Sequence, residues 1–226
     1  MSKKIFDLNS VRSLSYTESN WIKFDVEISY NSLLESIVFH EIFFKENEEK
    51  FKNRFDNDEQ THYQMLEDRS IQTLKNTLRN SSLLSSFAIF ESILKDICVF
   101  VETETNSKIK HSDLSYRNGD IGQLKLYLTK VFGMTFTVEI DNLLNQINEY
   151  KFLRNSIAHY NGKILTTKNP RLNKFRKWLK VVDIESNYSI FHIQKSDLLK
   201  RLISLMTDFF NLLIYEVDNH LKQKLI

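Results

Sequence analysis

The chain has 226 residues and a formal charge of +2, with 42% hydrophobic and 27% charged residues, enough for one sizeable domain or two small ones. Four glycines and one proline, Pro170, are too few for a strand-rich fold with frequent turns or for most parallel α/β folds. The single cysteine, Cys98, rules out a disulfide framework and a cysteine metal cluster, and its place in Ile97-Cys98-Val99-Phe100 predicts a buried core thiol.

The first fifteen residues are polar and weakly patterned, with no signal-peptide core, and predict an arm or a short adapting segment. Over residues 18–50, Trp21, Phe24, Ile28, Leu33, Leu34, Ile37, Val38 and Ile42 recur at helical spacing. They predict one long helix, or two broken near Tyr30-Asn31-Ser32. Residues 46–60 are highly charged and predict a helix end with a loop at Asn57-Asp58. Tyr63, Leu66, Ile71, Leu74 and Leu78 open a second helical run. It becomes a heavy apolar stripe at Leu83, Leu84, Phe87, Phe90, Ile93, Leu94, Ile97 and Val101, which predicts the central helix of a bundle. Asn80-Ser81-Ser82 marks a possible kink within it.

A polar loop over 103–119 precedes a shorter helix over 121–132 that stops at Gly133. Met134 to Val138 alternate too briefly for a strand. Ile140, Leu143, Leu144, Ile147, Tyr150 and Leu153 predict an amphipathic helix with Arg154 at its C-terminal end, and Asn161-Gly162 then supplies a turn. Residues 181–184 and 188–193, split by Glu185-Ser186-Asn187, predict a small hairpin. Ser196 is a plausible cap for a last helix striped by Leu198, Leu199, Leu202, Ile203, Met206, Phe209, Phe210, Leu213 and Val217. The expected fold is all-α, a helical bundle with a small β-hairpin before the last helix. Residues 1–60 form an N-terminal helical extension, and 61–226 form the main helical domain in one unit with it. No apolar stretch approaches the ~20 residues that cross a bilayer, so a cytoplasmic protein without a membrane partner is expected.

Charge is unevenly spread. Residues 163–180 contain Lys163, Lys168, Arg171, Lys174, Arg176, Lys177 and Lys180 with no acid, interleaved with Phe175 and Trp178. Residues 41–68 lean the other way, with nine acids against four bases. A basic run of this kind suits a polyanion such as RNA. It is equally what a solvated amphipathic helix with inward-facing rings looks like.

That block follows Arg154-Asn155-Ser156-Ile157-Ala158-His159, the stretch richest in chemistry. A histidine exchanges protons near neutral pH, and an arginine holds a phosphate oxygen through paired hydrogen bonds. With the 2′-hydroxyl of RNA as nucleophile, these two groups are a minimal kit for metal-free phosphodiester cleavage. Five positions on a regular helix span ~140°, so Arg154 and His159 would point to different sides. Either the helix unwinds before His159, or two copies of the chain share the pocket. Asn155 can orient the histidine or bond the phosphate. Glu91 either pins Arg154 or pairs with Lys95 one turn on, and Tyr160 either reaches the phosphate or half-buries. His40-Glu41 lacks the second histidine of a zinc helix, and His62, His111, His192 and His220 have no metal-ligand spacing. No serine sits in a nucleophile elbow, so metal hydrolysis and serine catalysis are not expected.

Leu153 to His159 resembles the motif of the HEPN superfamily: arginine, a polar residue, three variable residues and histidine. Residues 85–95, an apolar helix with Glu91 embedded, look like the acid-bearing helix of that family. The resemblance covers residues 60–226 and implies a HEPN-type bundle acting as a homodimeric, metal-independent endoribonuclease without cofactor. It implies that His159 moves a proton, Arg154 stabilises phosphate charge and the products carry 2′,3′-cyclic phosphate ends. A toxin–antitoxin or phage-defence role follows, with an antitoxin or regulatory protein as partner. Where many such toxins carry a nucleotidylated tyrosine two residues past the histidine, this chain has Asn161, with Tyr160 adjacent. The alternative is a non-catalytic HEPN-type module that binds RNA or partners a nucleotide-handling protein. A third reading is a helical protein in which the pair only finishes a helix.

Overall fold

Apolar residues three and four apart along one helix force its neighbours to gather on that side, and the architecture grows from this. The computed structural model describes residues 19–52, 61–114, 120–185 and 187–224. In chain order these are α1 (Asn20–Lys52), α2 (Thr61–Glu104), a 3-10 turn (His111–Asp113), α3 (Asp120–Leu126), α4 (Val138–Tyr160), β1 (Lys163–Leu165), 3-10 turns (Thr166–Phe175), β2 (Leu179–Glu185), β3 (Tyr188–Ile193) and α5 (Asp197–Lys224). The protein is mostly helical. The expected arm and the loop at Asn57-Asp58 lie outside the described residues.

α2 runs unbroken through Asn80-Ser81-Ser82, without the kink allowed there. The Ser82 and Ser86 hydroxyls donate to the carbonyls of Leu78 and Ser82, four residues back, so each serine is satisfied inside the helix. Asn106, with a left-handed φ of 46°, lies just past its end. α2 is packed by α5, whose Phe209 and Phe210 rings lie 5.3 and 4.9 Å from that of Phe90. Tyr30 of α1 stacks on Phe210 at 6.4 Å. α1 is thus a single helix through Tyr30-Asn31-Ser32, and its Ile22, Val26, Tyr30 and Ile37 belong to the same core as α2, α4 and α5.

The face that α1 buries differs from the stripe expected. Trp21, Phe24, Ile28, Val38 and Ile42 are exposed, because Ile22, Val26 and Tyr30, spaced four apart, turn inward instead. The helix is apolar on two sides and the bundle covers one.

After α3 the helix widens into a π turn over Tyr127–Val131, and Gly133 follows at a φ of 79°. The expected hairpin is real but is part of a larger sheet. β3 lies in the middle of a three-stranded antiparallel sheet, order β1-β3-β2, with Lys163 opposite Ile190 and Lys180 opposite His192. Phe191, Ile193 and Leu179 face the core, while Lys163, Lys180 and His192 share the other face. The core thiol expected at Cys98 is buried, and burial, helped by the Glu102 charge, pushes its pKa up.

Burial and the nearby Asp25 carboxylate raise the pKa of Asp96 from 3.8, outweighing Lys95. The folded chain therefore binds this proton more tightly than the unfolded chain does. The associated stability is complete below pH 3.8 and is lost as pH rises through the folded value. Asp96→Asn is expected to raise the urea midpoint at pH 7 and to leave it unchanged at pH 3; an equal shift at both would exclude this cause.

Candidate functional site

α4 starts where Thr137 accepts the Ile140 backbone N–H at 3.2 Å, and Glu139 and Asp141 favour the positive end of the helix. Ile140, Leu144, Ile147, Leu153 and Ile157 bury one side. The phase of that stripe leaves Arg154 and Asn155 half-buried and Ala158, His159 and Tyr160 exposed. The helix continues to Tyr160, so it does not unwind before His159, and Arg154 stands nearly two turns from the end rather than at it. Of the two geometries open to the pair, local unwinding is removed. Within one chain the helix sends the two side chains apart.

Past Tyr160 the backbone turns sharply. Asn161 and Gly162 have φ of 50° and 78°, and their N–H groups bond the carbonyls of Ile157 and Ser156 at 3.1 and 2.9 Å. The Gly162 carbonyl accepts the Phe191 N–H at 3.1 Å, which starts the sheet. A Cβ on Gly162 would sit 3.0 Å from the Phe191 oxygen, so the position needs glycine on both counts.

Glu91 of α2 reaches across to Arg154, with Oε2 3.8 Å from Nη2, and Arg154 Nη1 donates to Asn155 Oδ1 at 3.0 Å. Of the two partners weighed for Glu91, Arg154 is the one it meets across the helices. Asn155 therefore engages the arginine rather than His159, whose ring lies 6.2 Å from that of Tyr160. Tyr160 is 68% exposed and so does not half-bury.

The basic block is not the amphipathic helix considered for it. It folds as 3-10 turns around Pro170, with Leu172, Phe175 and Trp178 buried and Arg171, Lys174, Arg176 and Lys177 exposed. Sequence reasoning missed its anchors. Arg171 lies over the Phe152 ring at 5.5 Å, Lys163 over Tyr188 at 4.3 Å, Lys177 over Trp178 at 4.1 Å, and Lys174 pairs with Glu149. Glu149 and Phe152 share α4 with Arg154, so one helix holds both the motif and the segment beside it. Their only sequence signal is that they stand on its solvent side. The side chain of Lys168 lies outside the described residues.

Elsewhere, His111 pairs with Glu102 at 2.7 Å and His220 approaches the Phe132 carbonyl at 3.3 Å. Among the described residues no three His, Cys, Asp or Glu side chains gather as metal ligands, and no helix is long and apolar enough to cross a membrane. The chain matches no protein-family model, no curated protein and no solved structure.

The Glu91–Arg154 pair is partly solvated, so it contributes at most about 1 kcal/mol to stability. Urea unfolding of Glu91→Gln is expected to stay within that limit. A loss of several kcal/mol would make the pair a structural strut instead of a means of steering Arg154.

Proposed function

We propose that the protein is a metal-independent endoribonuclease of HEPN type, acting in a toxin or phage-defence role, whose reactive groups converge across a two-fold dimer. The observation that carries this reading is the arrangement along α4: half-buried Arg154 held by Glu91 of α2 and by Asn155, with an exposed His159 on the same helix. In a dimer, His159 of one copy would meet Arg154 of the other. His159 would take the proton of the 2′-hydroxyl or give one to the leaving 5′-oxygen. Arg154 would stabilise charge growing on the phosphate. Asn155 would position Arg154, and Tyr160 would contact the bound strand. Lys163, Lys168, Arg171, Lys174, Arg176 and Lys177 would track the backbone of the RNA. An antitoxin or regulatory protein would restrain the activity.

The second reading is a non-catalytic interaction module that binds RNA or a nucleotide-handling protein. The observation in its favour is the unbroken helix, which separates Arg154 from His159 within one chain.

The test is cleavage of a mixed RNA pool in EDTA. His159→Ala is expected to lower the rate about 10²–10⁴-fold and Arg154→Ala about 10²–10³-fold, with both variants folded. Co-producing the two inactive variants separates the geometries. Random pairing makes half of the dimers mixed, each with one intact shared site, so about a quarter of the wild-type rate returns. No recovery means that the groups do not meet across a dimer. No cleavage by the wild type moves the interaction module ahead.

A further inference from the structure

On the side of the sheet away from the core, α2 leans over β2 and β3 and leaves a cleft of ≈660 Å³. Its walls carry Lys75, Asn76 and Arg79 from α2, Lys180 and His192 from facing strands, and Lys195 from the turn into α5. Four permanent cations line it and no carboxylate does. We propose that this cleft binds the phosphoryl groups of an oligophosphate-type anion, at a site separate from Arg154 and His159.

The cations are placed by rigid elements. Lys180 and His192 are cross-strand partners, so they project side by side, and both Lys180 and Lys195 are exposed to solvent. Asn76 meets the His192 ring, Nδ2 to Nδ1 at 3.3 Å, which fixes that ring from the α2 side. Burial and, after it, the Lys180 charge lower the pKa of His192. The volume far exceeds that of one phosphate, so two or more phosphoryl groups fit.

The deeper cations are held from behind. Arg79 clasps Glu41 through contacts of 2.7–2.9 Å and donates Nη1 to the Ile193 carbonyl at 3.1 Å, while Lys75 pairs with Glu48. Both acids lie on α1 and outside the cleft lining. They orient the two cations and also partly neutralise them, so removing either acid leaves more positive charge for a ligand. This gives a signature that a purely structural ion pair lacks.

The experiment is calorimetric titration of the full chain with sodium tripolyphosphate, with inorganic phosphate and with a short single-stranded RNA, all at one ionic strength. One tripolyphosphate is expected per chain, with phosphate weaker. Lys180→Gln combined with Lys195→Gln is expected to weaken binding at least about tenfold by removing two charge-assisted contacts. Glu41→Gln is expected to tighten it, which a loss of folding cannot mimic, and His159→Ala to leave it unchanged. If RNA alone binds and the cleft variants weaken it, the phosphoryl groups come from an RNA backbone. If tripolyphosphate binds as well, a free ligand supplies them. The proposal is overturned if neither binds, or if tripolyphosphate binding ignores the cleft variants and instead follows Arg171→Gln and Lys174→Gln. Tripolyphosphate has no 2′-hydroxyl and cannot be cut by the proposed nuclease mechanism, so its binding is read independently of the nuclease reading.

Discussion

The contact between Phe90 and the Phe209-Phe210 pair holds the molecule together. Each of these rings is fully buried, and aromatic pairs at such distances gain about 0.5–1.5 kcal/mol beyond the area they remove from water. Tyr30 adds α1 to the stack, so one cluster joins three helices distant in sequence. Glu91, the residue after Phe90, inherits its position from that packing. Its carboxylate reaches Arg154 because Phe90 is locked one position earlier. The core thus aims the site.

Helix identity was legible because burial writes itself at intervals of three and four. The α2 and α5 stripes predict their buried residues closely, and the α4 stripe sets which residues around Arg154 face water. What stayed hidden has physical reasons. β1 is three residues long, too short for alternation to register, and its strand character comes from pairing with β3. α1 carries apolar residues on two sides, and periodicity alone cannot say which side the bundle takes. The basic segment has the composition of an amphipathic helix, but Pro170 lacks the N–H that a continuous α-helix needs. At the site, the motif was visible while its partners were not, since Glu91, Glu149 and Tyr188 approach it from other turns and elements through tertiary packing.

The two electropositive regions differ in kind. Residues 166–177 present their charge on an exposed run of turns, with the charged ends of Arg171 and Lys177 over aromatic rings. The cleft above β2 and β3 is concave and backed by carboxylates of α1. A surface of the first kind suits an extended chain and tolerates sliding, whereas one of the second kind selects by shape.

The left-handed step at Asn161 and Gly162 ties two periodicities together. α4 counts in turns of 3.6 and β1 in pairs, and only these two residues stand between Tyr160 and Lys163. Removing one residue there would rotate β1 by half a period, turning Lys163 toward the core and Ile164 toward solvent. The alternative is to unwind the last turn of α4, which carries His159. Chain length across this junction is therefore as tightly specified as any side chain near it, and drift by insertion or deletion is closed to it.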